Sequence, residues 1–122
     1  MYRSILKVWL DPYFRYGTNE WRDNMPKYVI EREVPGAGEL TPEQLAEMAR
    51  KSNRVLAELG PEITWITSYV TGDKLYCVYV ARDEDILVEH ARCGGFPLDR
   101  VSRVADVIDP STAEGALAPA SS

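Results

Sequence analysis

The spacing of apolar positions changes along the chain, and each change marks an element. Lys27 to Val34 (KYVIEREV) alternates, with Tyr28, Ile30 and Val34 on one face and Val29, Glu31 and Glu33 on the other, which is the period of a strand. Pro35-Gly36 closes it. Thr41-Pro42-Glu43-Gln44 then reads as a capping box: Thr41 is the N-cap, Pro42 takes the first helical position and Gln44 reaches back. Leu45, Met48, Ser52, Val55, Leu56 and Leu59 recur on one helical stripe until Gly60-Pro61 stops it. Ile63 to Thr71 and Lys74 to Ala81 are β-rich runs separated by Gly72-Asp73, a pair suited to a type II′ hairpin. That loop sets Tyr69 opposite Tyr76, Thr67 opposite Val78 and Trp65 opposite Val80. Asp83 caps a second helix, Glu84 to Arg92, with Ile86, Leu87, His90 and Ala91 on its apolar face and Gly94-Gly95 at its end. Val101 to Ile108 is the last strand, closed by Pro110.

The order βαββαβ predicts an α+β, ferredoxin-like fold: an antiparallel sheet with two helices on one face. Both faces of the hairpin are largely apolar, yet the helices cover only one. The other face needs a partner subunit, a ligand cavity or the N-terminal segment against it. The aromatic row Trp65, Tyr69, Tyr76 nominates it for a homodimer, which would close a dimeric αβ-barrel through an isologous contact.

These elements occupy residues 25–110, one domain. Residues 111–122 are mostly Ala, Ser, Pro and Gly with little bulk and read as a flexible tail. Residues 1–24 hold several aromatics without a regular period, and Met25 stands just before the first strand. We therefore expect Met25 to be the biological start. If Arg22 is encoded AGG, the Trp21-Arg22 codons spell a ribosome-binding sequence before it, and a native intact mass beginning at Met1 would contradict this expectation.

The formal charge of −5 opposes general affinity for nucleic acid or an anionic membrane, since both need a basic surface. No run of apolar residues is long enough for a transmembrane helix, and the first residues lack a secretory signal pattern. Two cysteines are too few for a disulfide framework, so a cytoplasmic location is expected.

His90 is the single histidine. On an apolar helix face such a residue is ordinarily packed and hydrogen-bonded in the core. Its alternative is metal binding: Glu89 adjoins it, Cys93 follows at i+3 and Cys77 lies on the preceding strand, and imidazole, thiolate and carboxylate together suit nickel, zinc or copper. Neither CxxC nor HxxxH spacing supports the metal reading. Cys77 between Tyr76 and Val78 also reads as a small buried hydrophobe. Cys93 at a helix C-terminus faces the negative end of the dipole, which disfavours a thiolate. Glu31 and Glu33 form either a carboxylate pair or a solvated face with Arg32 and Arg103 as partners. No phosphate loop, nucleophile elbow or Ser-His-Asp signature is visible.

Three blocks, VIEREVPGAGELTPEQL (Val29–Leu45), SYVTGDKLYCVYVA (Ser68–Ala81) and EHARCGGFPLDRVSRV (Glu89–Val104), resemble a family of short bacterial proteins first catalogued as a domain of unknown function and described as nickel-binding and ferredoxin-like. The resemblance implies a homodimer with surface nickel sites and a role in nickel handling. His90, Glu89 and Cys77 lie in these blocks and are the candidate metal ligands. The leading expectation is a divalent-metal buffer or sensor, not an enzyme, with nickel as the metal. The alternative is a dimeric αβ-barrel enzyme, a cofactor-free monooxygenase or isomerase, in which Trp65, Tyr69, Tyr76 or His90 orients a small organic molecule. A cavity of roughly 300 Å³ or more with a convergent acid/base pair would favour it. A third reading is an interaction module whose open sheet face binds another protein.

Overall fold

The computed structural model describes residues 25–115. Strand β1 (Lys27–Glu33) buries Tyr28, Ile30 and Arg32 and turns Val29 and Glu31 the other way, so the alternation in the sequence is kept. A 3₁₀ turn over Ala37–Glu39 leads to helix α1 (Pro42–Leu59), whose capping box forms in both directions between Thr41 and Gln44. Gly60 takes φ 90° after α1, a left-handed value that side chains disfavour. β2 (Ile63–Val70), β3 (Lys74–Ala81), α2 (Glu84–Gly94) and β4 (Arg100–Arg103) follow, and a short α3 (Thr112–Gly115) ends the described residues. Asp83 caps α2 by accepting from the Ile86 amide, and Gly95 closes it in the left-handed conformation.

The four strands lie in the order β2-β3-β1-β4, every neighbouring pair antiparallel. The fold is therefore α+β, with the sheet face of Tyr28, Ile30, Cys77 and Tyr79 packed with Ile86 and Leu87 of α2 and Met48 and Leu56 of α1. His90 joins Ile86, Leu87 and Ala91 on the buried side of α2. No helix among the described residues is long and apolar enough to cross a membrane.

The structure corrects the expected pattern in several places. The hairpin pairs Tyr69 with Tyr76 and Thr67 with Val78 as expected, but a bulge between Trp65 and Thr67 sets Trp65 opposite Tyr79 instead of Val80. The extra residue, Ile66, is 51% exposed, and Trp65 passes to the helix side, where its indole donates to Ser68 Oγ at 2.9 Å. The open-face aromatic row thus reduces to Tyr69 and Tyr76.

Gly72 is not among the glycines with positive φ, so the turn is not type II′. Its role is close approach: Gly38 N donates to Gly72 O at 3.0 Å, and a Cβ on Gly38 would meet Gly72 Cα at 3.2 Å. Asp73 completes this clasp by accepting from the Val34 amide with its carbonyl and from the Gly36 amide with its side chain, both at 2.9 Å. The loop after β1 is thereby tied to the hairpin tip.

β4 stops at Arg103 because its partner β1 begins at Lys27; the last ladder bond is Val104 N to Lys27 O at 2.8 Å. Val107 and Ile108, expected in this strand, are exposed. Residues 112–115 form a helical turn inside the expected tail, anchored where Asp109 N donates to Thr112 Oγ1 at 2.8 Å. The expectation about residues 1–24 and the rest of the tail lie outside the described residues.

Candidate functional site

Period-2 alternation puts Arg32 on the inner face of β1 beside Tyr28 and Ile30, and it is 4% exposed. Its Nη1 donates to the Pro97 carbonyl at 2.5 Å and its Nη2 to the Tyr79 hydroxyl at 3.2 Å. The guanidinium also lies 5.5 Å from the Phe96 ring centre and 6.0 Å from that of Tyr79. Burial raises the Tyr79 phenol above its ordinary range, with Arg32 opposing.

His90, brought by the apolar stripe of α2, is fully buried. Its ring packs 5.4 Å from Tyr79 and 5.2 Å from Phe96, centre to centre. Its Nε2 lies 3.2 Å from Ser52 Oγ, a residue on the buried stripe of α1. Burial first, and then the charge of Arg32, lowers the imidazole pKa to about 4, with Ser52 pulling the other way. The ring is neutral at physiological pH. Nδ1 finds no hydrogen-bond partner. We assign the proton to Nε2, donating to Ser52, because a bare lone pair at Nδ1 costs less in the core than an unpaired N–H.

Glu89 points away from this core. It pairs with Arg92 one turn on, which holds its carboxyl below the usual range, and it accepts a hydrogen bond from the Cys93 thiol at 3.4 Å. That bond is also the main reason the Cys93 thiol is pushed up, in the direction the helix dipole suggests. Cys77 is buried on the inner face of β3. The structure therefore separates the candidate ligands: His90 and Cys77 are closed in the core and Glu89 is at the surface. Among the described residues no group of three or more His, Cys, Asp or Glu side chains is placed to hold a metal. The buried surroundings of His90 do not fit a dication, since burial and the charge of Arg32 already oppose positive charge at the imidazole.

Glu31 and Glu33 have neither Arg32 nor Arg103 as partner. Lys74, opposite Glu33 in the β1–β3 register, bridges both at 3.3 and 3.5 Å.

In front of Arg32 a partly open cleft of about 460 Å³ lies between α1 and the inner sheet face. Leu45, Met48, Val34 and Leu75 supply apolar wall, and Ser52, Tyr79 and Trp65 supply polar edges. It exceeds the size expected of an enzyme cavity, but its described lining holds no carboxylate or imidazole, so the convergent acid/base pair is missing. Arg32 was the functional side chain least visible in the sequence, where only its inward parity gives it away.

Fold and site together define a small α+β domain with a basic residue facing a cleft and a sheet face that no described helix covers. Residues 28–104 match the family described as nickel responsive protein, SCO4226-like, and the chain belongs to that family. The structure is similar to the crystal structure of SCO4226 from Streptomyces coelicolor A3(2), with a TM-score of 0.58 and 12% identity over 67% of this chain and 99% of that one. At that identity the likeness shows a shared fold. No curated protein matches the sequence.

Proposed function

We propose that this protein is a cytoplasmic nickel-responsive binding protein, a ferredoxin-like homodimer that buffers or senses the metal and catalyses no reaction. The observation that carries this reading is the family match, which spans all four strands and both long helices. Its Streptomyces structural neighbour, named nickel responsive only through the family, supports the fold alone.

The donors that favour nickel are on the surface of α2. Among the residues nominated from sequence, Glu89 has an accessible carboxylate, and its neighbour Cys93 offers the thiol that buried Cys77 does not. Carboxylate and thiolate are both competent toward nickel(II), but two donors are too few for a stable site. A second copy paired through the sheet face of Tyr69 and Tyr76 would carry its own Glu89 and Cys93 on the far side of its sheet, so water must complete each coordination sphere. Capture must displace Arg92 from Glu89 and the proton from Cys93, so affinity rises with pH. His90 holds α2 against α1 through Ser52 and thereby positions the Glu89 face.

The test is nickel titration of untagged protein beside Glu89→Gln/Cys93→Ser and His90→Gln. Loss of saturable binding in the double variant with retention in His90→Gln supports this ligand set. Loss in His90→Gln, with its fold intact, would return the site to the histidine.

A further inference from the structure

The nickel reading leaves the cleft before Arg32 unused. A buried guanidinium keeps its charge in a protein, and burying that charge is costly unless an anion offsets it. Among the described residues Arg32 meets only neutral acceptors, the Pro97 carbonyl and the Tyr79 hydroxyl, together with the faces of two aromatic rings. No carboxylate among the described residues forms an ion pair with it, although the acidic chain supplies carboxylates to Arg50, Lys74, Arg82 and Arg92. Of the five N–H donors a guanidinium carries, the described residues use two. A simple clamp on Pro97 would not require a cleft of about 460 Å³ in front of the same side chain, a volume within the range of small-molecule sites.

We propose that this cleft binds a small amphipathic monocarboxylate, its carboxylate on Arg32 and its hydrocarbon body against Leu45, Met48, Val34 and Leu75. One cation in the described cleft lining matches a single negative charge, and the planar guanidinium favours a carboxylate through paired N–H donors. The apolar walls favour a hydrocarbon chain and give a phosphate nothing to hold. Ser52 and the Trp65 indole border the cleft, so occupancy would be felt at α1 and at the β2 bulge. The site is independent of Glu89 and Cys93, and metal-free protein serves for its test.

The experiment is calorimetric titration of full-length, metal-free protein with octanoate, octanamide, acetate and inorganic phosphate, with amide spectra reporting the Arg32 Nε–H and Trp65 indole signals. Octanoate is expected to bind saturably, shift both signals, and exceed octanamide by roughly ten- to hundredfold, the range of a charge-assisted hydrogen bond. Arg32→Met should abolish that preference. If Arg32→Met does not fold, Met48→Trp takes its place and should block octanoate by filling the apolar wall. Absence of saturable octanoate binding, equal binding of acid and amide, or displacement of octanoate by equimolar phosphate would each overturn the proposal.

Discussion

The neutral, buried state of His90 gives the molecule an acid sensitivity that can be calculated. In the unfolded chain the imidazole titrates near its ordinary value of 6.5, whereas in the fold burial and Arg32 hold it near 4. A folded-state pKa below the unfolded one means that the unfolded chain takes up the proton first. Stability is therefore complete above about pH 6.5 and falls as the pH drops toward 4. Linkage with these two values puts the loss between pH 7.5 and pH 5 at about 2 kcal/mol. The carboxylates of Glu47, Asp83, Glu89 and Asp109 have lowered pKa values, so their own losses come at lower pH and are shared by any His90 variant. His90→Gln keeps a hydrogen-bonding group for Ser52 but has no proton to gain. Urea unfolding of metal-free wild type and variant at both pH values isolates the histidine as a difference of differences. The wild type should lose about 2 kcal/mol more than the variant. Equal losses would refute the reasoning and imply that the imidazole is already hydrated or charged in the fold.

Two further outcomes concern the frame that holds the cleft. Gly94→Ala places a Cβ 2.2 Å from Phe96 Cε2, and the ring cannot retreat without leaving His90 and Arg32, so chemical denaturation should show a loss of roughly 1–3 kcal/mol. An unchanged midpoint would mean that Phe96 moves freely. Thr41→Ala removes the acceptor for the Gln44 amide and should cost about 1 kcal/mol in the same assay, with retained stability contradicting the cap.

The local rules of the chain were legible because they are short-range. Thr41 and Gln44 are three residues apart, and Tyr69 faces Tyr76 across a short loop, so capping and register are written in neighbouring positions. The bulge was not legible: Trp65 and Ile66 are both apolar, and alternation alone cannot say which of them is the additional residue. Arg32 was half legible. Its parity with Ile30 and Val34 places it inside, but its partners Tyr79 and Pro97 are 47 and 65 residues away. The same distance problem hid Lys74 as the cation for Glu31 and Glu33. For His90 the packed, hydrogen-bonded reading describes its surroundings, while helix periodicity separated it from Glu89 even though the two are consecutive. The candidate metal residues were adjacent in sequence and divided by the fold.

The central claim, a nickel-responsive homodimer, is tested most directly by native mass spectrometry of untagged protein with and without nickel, since one spectrum reports chain number and bound metal. The account predicts a dimer that takes up nickel in a fixed ratio to its chains and loses it in Glu89→Gln/Cys93→Ser. A monomer, or a dimer that stays metal-free in excess nickel, would contradict it.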